Sequence, residues 1–177
     1  MVRVDRMPKL TPVEWARRVR AERDHRRRES ADARALARLD RLGPEWSLVD
    51  LPAGPGFLVI GPGGIYAVTV VDQGLSRVLI VGDAVQSGGR RQSYVVDARL
   101  TARRTAEVLA ADLGRAVPVT PVLTFIGSGT ISFHGPPREC LISTARELDR
   151  LLVAGGNRLS PAAVKKVVEV AEKQARA

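Results

Sequence analysis

Two apolar runs, Phe57–Ile60 and Ile65–Val71, joined through Gly61-Pro62-Gly63-Gly64, constrain this chain more than any other feature. The second run, IYAVTVV, has no charge and almost no polar alternation. Such a strand is apolar on both faces, so it belongs inside a sheet that is covered on both sides. The Gly-rich segment lacks the GK[ST] ending of a phosphate-binding loop and leads into a strand rather than a helix, so it reads as a hairpin turn.

The cover has to come from helices. Ser93–Leu113 sets Val95, Ala98, Ala102, Ala106, Leu109 and Leu113 on one face at helical spacing. Ser160-Pro161 opens a last helix that turns Val164, Val167, Val168 and Ala171 inward and its lysines outward. Ala35, Leu36, Leu39 and Leu42 form a third stripe, ended by Gly43-Pro44, and Thr144–Leu152 predicts a short helix. Further strands are expected at Trp46–Leu51, Val117–Ile126, Ile131–Phe133 and Cys140–Ile142. Arg77–Val81 and Ala84-Val85 read as a hairpin about Gly82-Asp83. Pro118 and Pro121 make the start of the Val117 strand edge-like. The order implies an α/β fold, a central mixed sheet flanked by helices.

Ahead of this core lies a basic segment. Residues 1–10 read as flexible, and Thr11-Pro12-Val13-Glu14 carries the cap, first-turn proline and acid of a capping box. Val13, Ala16 and Val19 give that helix a slight apolar stripe, while Arg20–Ser30 has no large apolar residue and reads as a solvated helix or a linker. The expected organisation is a helical N-terminal arm, 1–28, on a single domain, 29–177. Trp15 is a large apolar group that a solvated arm has no reason to carry. It packs on its own domain or docks on a partner, a second copy of the chain included.

Composition narrows the chemistry. A chain of 177 residues fits one domain, and no run approaches the length of a membrane helix. With no signal-peptide pattern at the N-terminus, a cytoplasmic location and no membrane contact are expected. Cys140 stands alone and His25 and His134 are the only histidines, so neither a metal site nor any cofactor is expected. Cys140, beside Leu141 and Ile142, reads as a small core residue. The net charge of +9 favours polyanions, although an arginine- and alanine-rich style typical of GC-rich bacterial genomes accounts for part of it.

The run GFLVIGPGGIYAVTVVDQG, Gly56–Gly74, resembles the central hairpin of nuclease-related (NERD) domains. GGRRQSYVVDARLTARRTAEVLAADLG, VPVTPVLTFIG and LSPAAVKKVVEVAE resemble that family's following helix, strand and closing helix. The resemblance covers roughly residues 29 to 175 and implies the restriction-endonuclease-like core of the PD-(D/E)xK superfamily. It also implies where a catalytic site would stand: an Asp opening the first strand, then an acid and a Lys two residues apart in the second. Alternate strand residues share a face, so the acids would hold Mg²⁺ while the lysine acts on the water or the phosphate. Here those positions are Gly56, Thr69 and Val71, with Phe57 where the family has a His. Gly and Val offer no ligand atom, and no lysine occurs between Lys9 and Lys165. The expectation is a pseudoenzyme. Asp32, Asp50 and Asp72 are the acids from which a migrated site would have to be built, and capping or solvated carboxylates are their simpler reading.

The arginines remain. Between Gln86 and Ala106 stand Arg90, Arg91, Arg99, Arg103 and Arg104 against Asp97, a net of +4. Arg99 and Arg103 share a helical face. Residues 1–42 hold 13 Lys and Arg against 7 acids, densest at Arg26-Arg27-Arg28. Aromatics at 4% leave little for base stacking, so backbone contact without sequence readout is expected. Nucleic acid, DNA foremost, is the expected partner. A protein-interaction scaffold is the alternative, and a metal-dependent nuclease with a rebuilt site a further one.

Overall fold

A computed structural model describes residues 11–177, so the expected flexibility of residues 1–10 falls outside the described residues. The element order is α1 (Pro12–Leu39), β1 (Ser47–Asp50), β2 (Phe57–Gly61), β3 (Gly64–Gly74), β4 (Val78–Val81), β5 (Ala84–Ser87) and β6 (Arg90–Gln92). It continues with α2 (Tyr94–Leu113), β7 (Thr120–Gly127), β8 (Ile131–Phe133), β9 (Leu141–Thr144), α3 (Leu148–Val153) and α4 (Pro161–Arg176).

The fold is α/β. Strands run β1-β2-β3-β7-β9 in a mixed five-stranded sheet and β6-β5-β4-β8 in a second, smaller one. β3 sits in the middle, antiparallel to β2 and parallel to β7, which in turn pairs parallel with β9. Its position follows from its uninterrupted apolar run, since only an inner strand can bury both faces. Phe57, Val59, Tyr66, Val68, Val122 and Ile126 pack against α1 and α3. Leu58, Ile60, Ile65 and Ala67 pack against α2 and α4 on the other face. The turn residues Pro62 and Gly63 close the β2–β3 hairpin, with Gly61 opposite Gly64. A side chain at Gly63 would press on the Leu152 carbonyl and the Trp46 ring.

Several expectations change in detail. β7 is an inner strand, yet its pairing to β9 starts only at Val122, so Thr120 and Pro121 have β3 alone as a neighbour. The proline thus sits where its missing N–H leaves no rung of a two-sided ladder unmade. The helix expected over Thr144–Leu152 is shorter, because Thr144 still pairs with Phe125 as the end of β9. In α2 the inward residue is Thr105 rather than Ala106. Its hydroxyl donates to the Thr101 carbonyl at 2.8 Å, which lets a polar side chain face the core.

α1 is one continuous helix of 28 residues. The capping box at Thr11 is formed: the Glu14 N–H donates to the Thr11 hydroxyl, and the Thr11 N–H donates to the Glu14 carboxylate. Those bonds hold the Glu14 carboxyl below its usual range. Only Ala31, Ala35 and Leu39 of α1 are buried. The boundary expected near residue 28 therefore falls inside a helix, at the point where it meets the body.

Candidate nucleic-acid interface

Of the positions that the NERD resemblance assigns to a catalytic triad, Gly56 lies just before β2, and Thr69 and Val71 lie on β3. Val71 packs with Val78, Ile80, Val95 and Ala98 on the α2 side of the sheet, and Thr69, two residues earlier, shares that face. The Thr69 hydroxyl donates to the Val122 carbonyl at 3.3 Å and is spent on the neighbouring strand. Gly56 has φ +123°, and a Cβ there would collide with the Val68 carbonyl oxygen and meet Leu51 Cδ1 at 3.0 Å. No side chain fits at that position on this backbone. Phe57 is turned to the α1 side and buried there.

The three acids considered as replacements are scattered. Asp50 is exposed at the end of β1, and Asp72 accepts from the Gly74 N–H at 3.0 Å, tying a local turn. Asp32 is partly buried on α1, and desolvation raises its pKa. Among the described residues no three of His, Cys, Asp and Glu come together as metal ligands. Cys140 is buried, and that burial pushes its thiol up to about 11.

The arginines divide between the two faces of the sheet. On the α2 side, Arg99 is held in the fold: it pairs with Asp83 at 2.9 Å and donates to the Arg138 carbonyl at 3.1 Å. Bonds from the Arg138 N–H and the Arg99 guanidinium draw the Asp83 pKa below its usual range. Arg103 is exposed beside Arg99 along a groove that also takes in Pro121, Pro136 and Cys140. Arg90 and Arg91 lie exposed on β6, an edge strand of the second sheet.

On the opposite side stands the denser array. Successive helical residues step about 100° around the axis, which puts Arg20, Arg23, Arg27, Arg34 and Arg38 of α1 inside a sector of about 60°. From Arg20 to Arg38 that stripe is about 27 Å long, and no acid lies within it. It runs about a quarter-turn from the buried edge of Ala31, Ala35 and Leu39, along the flank of the helix. Every residue from Arg20 to Ser30 is exposed, with Arg26 and Arg28 to either side of the stripe. Trp15 and Val13 stand on the same projecting half, each 61% exposed, so Trp15 does not pack on its own domain.

The stripe leads into a groove where α1 meets the body. Arg34, Arg38 and Arg41 line it from one side and Arg146 from the other, over Gly127 and Thr144 at the ends of β7 and β9. Arg38 is fixed by Asp149 through an Nε donor at 2.7 Å, with both side chains only 17% exposed. Arg34, Arg41 and Arg146 form no ion pair among the described residues. Sequence reasoning singled out neither the stripe nor this groove.

No protein-family model, no curated protein and no solved structure matches the chain. No helix among the described residues is long and apolar enough to cross a membrane.

Proposed function

We propose that this protein is a non-catalytic, nuclease-like module that holds the backbone of duplex DNA in the cytoplasm, by charge and without reading sequence. The observation that carries the reading is the arginine stripe on α1. A helix flank with four exposed, unpaired arginines, Arg20, Arg23, Arg27 and Arg34, and no acid over about 21 Å matches the phosphates of about six base pairs in length and in sign. Arginine forks bind phosphate oxygens in pairs, so affinity needs no aromatic platform. The chemistry missing at Gly56, Thr69 and Val71 leaves nothing at those positions to hold Mg²⁺ or activate water, which supports binding without cleavage.

The arm's own charge also bears on its partner. From Pro12 to Ser30 it holds seven arginines against four acids, so two copies of the arm would repel each other along their length. A polyanion suits it better than a second copy does. The exposed Trp15 and Val13 favour a second reading, in which the arm's tip anchors on an acidic protein partner.

Filter binding of a 20-base-pair duplex across salt tests the proposal. Arg20, Arg23, Arg27, Arg34 and Arg41 are free of ion pairs among the described residues. About five phosphates neutralised would give log affinity against log salt a slope of about −4.5. Replacing Arg20, Arg23 and Arg27 together with Ala should make that slope shallower by about 2.7, while Arg99→Ala with Arg103→Ala leaves most of it. A flat salt profile, or a stripe variant that binds as wild type does, would defeat the reading.

A further inference from the structure

We propose that the groove at the carboxyl ends of β7 and β9 is a binding site for a phosphomonoester dianion. At the carboxyl ends of parallel strands the chain leaves the sheet and its backbone groups become free to meet a ligand. β3, β7 and β9 are the parallel trio of this sheet, and the groove opens where β7 and β9 end. Its volume of about 650 Å³ falls in the range of small-ligand sites.

The lining selects an anion and sets its charge. Arg38 belongs to Asp149 and acts as part of the wall. Arg34, Arg41 and Arg146 remain, offset by Glu147, so the groove presents a net of +2. A phosphomonoester carries close to two negative charges at neutral pH and exposes three terminal oxygens. An internal phosphodiester has one charge and two such oxygens, and a carboxylate has the same shortage. Three forked cations approaching from two elements are matched best by the dianion. Phe125 is the one aromatic residue of the lining, and its ring packs against Tyr94 on the other face of the sheet rather than offering itself to a base. The phosphate is therefore recognised and the base is not.

Two sources supply this chemistry, the phosphorylated end of a strand and a free nucleoside monophosphate. The arginine stripe leads into the groove along α1, so a strand that follows the stripe brings its end within reach of Arg34, Arg41 and Arg146. The site itself stands on the groove and not on the reading of the stripe.

The test uses fluorescence anisotropy of the full chain with short duplexes that end in 5′-phosphate, 3′-phosphate or hydroxyl, and competition by AMP and CMP. One charge-assisted hydrogen bond already amounts to about tenfold, so a phosphorylated end should bind at least about tenfold tighter than a hydroxyl end. Arg34→Ala with Arg146→Ala should remove that preference, and Arg34→Lys with Arg146→Lys should keep part of it. Arg103→Ala with Arg104→Ala, on the other face, should leave it intact. AMP and CMP should compete equally. If both monophosphates bind through Arg34 and Arg146 but strand ends make no difference, the free nucleotide is the source and the site stands. Absence of both effects, or their survival in the paired alanine variant with an unchanged melting temperature, overturns it. Affinity for the hydroxyl-ended duplex, measured in the same series, reports separately on the stripe.

Discussion

Gly56→Ala is the smallest change that probes the lost acid position, and it should be costly by itself. The backbone there has φ +123°, a region that side chains rarely enter and that costs about 1–3 kcal/mol to hold. The added Cβ would run into the Val68 carbonyl oxygen and press on Leu51 Cδ1. Val68 lies directly opposite Phe57 in the β2–β3 pairing, so its carbonyl cannot swing away without loosening the central hairpin. Overpacking of this kind adds about 1–3 kcal/mol. A total near 4 kcal/mol is a large part of the roughly 5–15 kcal/mol of an ordinary domain. At about 2 kcal/mol per molar, the urea midpoint should drop by about 2 M. Gly56→Asp should cost about the same, because the Cβ rather than the carboxylate does the damage. Equilibrium urea unfolding followed by circular dichroism decides the matter. A Gly56→Ala midpoint within about 0.5 M of wild type would refute the argument, and with it the claim that this backbone excludes an acid at the position.

Incubation with Mg²⁺ or Mn²⁺ should leave plasmid and oligonucleotide substrates uncut. Metal-dependent cleavage abolished by Asp50→Ala or Asp72→Ala would reveal a rebuilt site. Desolvation raises the Asp32 pKa in the folded chain, so the unfolded chain gives up that proton first and stability falls as pH rises from the unfolded value through the folded one. Asp32→Asn should accordingly raise the melting temperature at pH 7 and leave it unchanged near pH 2. An equal shift at both pH values would point to packing instead. Deleting residues 1–28 should keep the melting temperature within a few degrees while weakening duplex binding by at least tenfold, because no residue from Thr11 to Ser30 is buried. Loss of several kcal/mol from that truncation would make the arm part of the core.

Apolar periodicity reported the central hairpin, α2 and α4 almost residue by residue, because each buries a face that its own spacing defines. The β4–β5 hairpin and β8 were legible as strands, but β6 and the gathering of these strands into a second sheet were not. β8 is three residues long and is placed by parallel pairing with β4, some fifty positions earlier, which no local pattern encodes. The continuity of α1 through Arg20–Ser30 is explained by propensity: Arg, Glu and Ala are strong helix formers, and neither Gly nor Pro interrupts the chain between Pro12 and Gly43. An apolar stripe was the wrong signal to seek in a helix that leaves the body. The arginine stripe was present in the sequence but appears only when the arginines are sorted by angle around the axis rather than counted. Arg146 could not have been joined to it, since only the β7–β9 pairing and the turn after Thr144 bring it opposite Arg34.

The parallel pairing of β3 with β7 also sets a clock. The β2–β3 hairpin is complete once Val68 is made, 52 residues before Thr120 begins the partner of the exposed β3 edge. At about 5–20 residues per second, that interval lasts roughly 3 to 10 s. Throughout it, the largely apolar strand β3 has one ladder of backbone groups open to any passing chain. Newly made protein is thus most prone to clump while still on the ribosome, and slower translation of the stretch between β3 and β7 would worsen yield without altering the finished molecule.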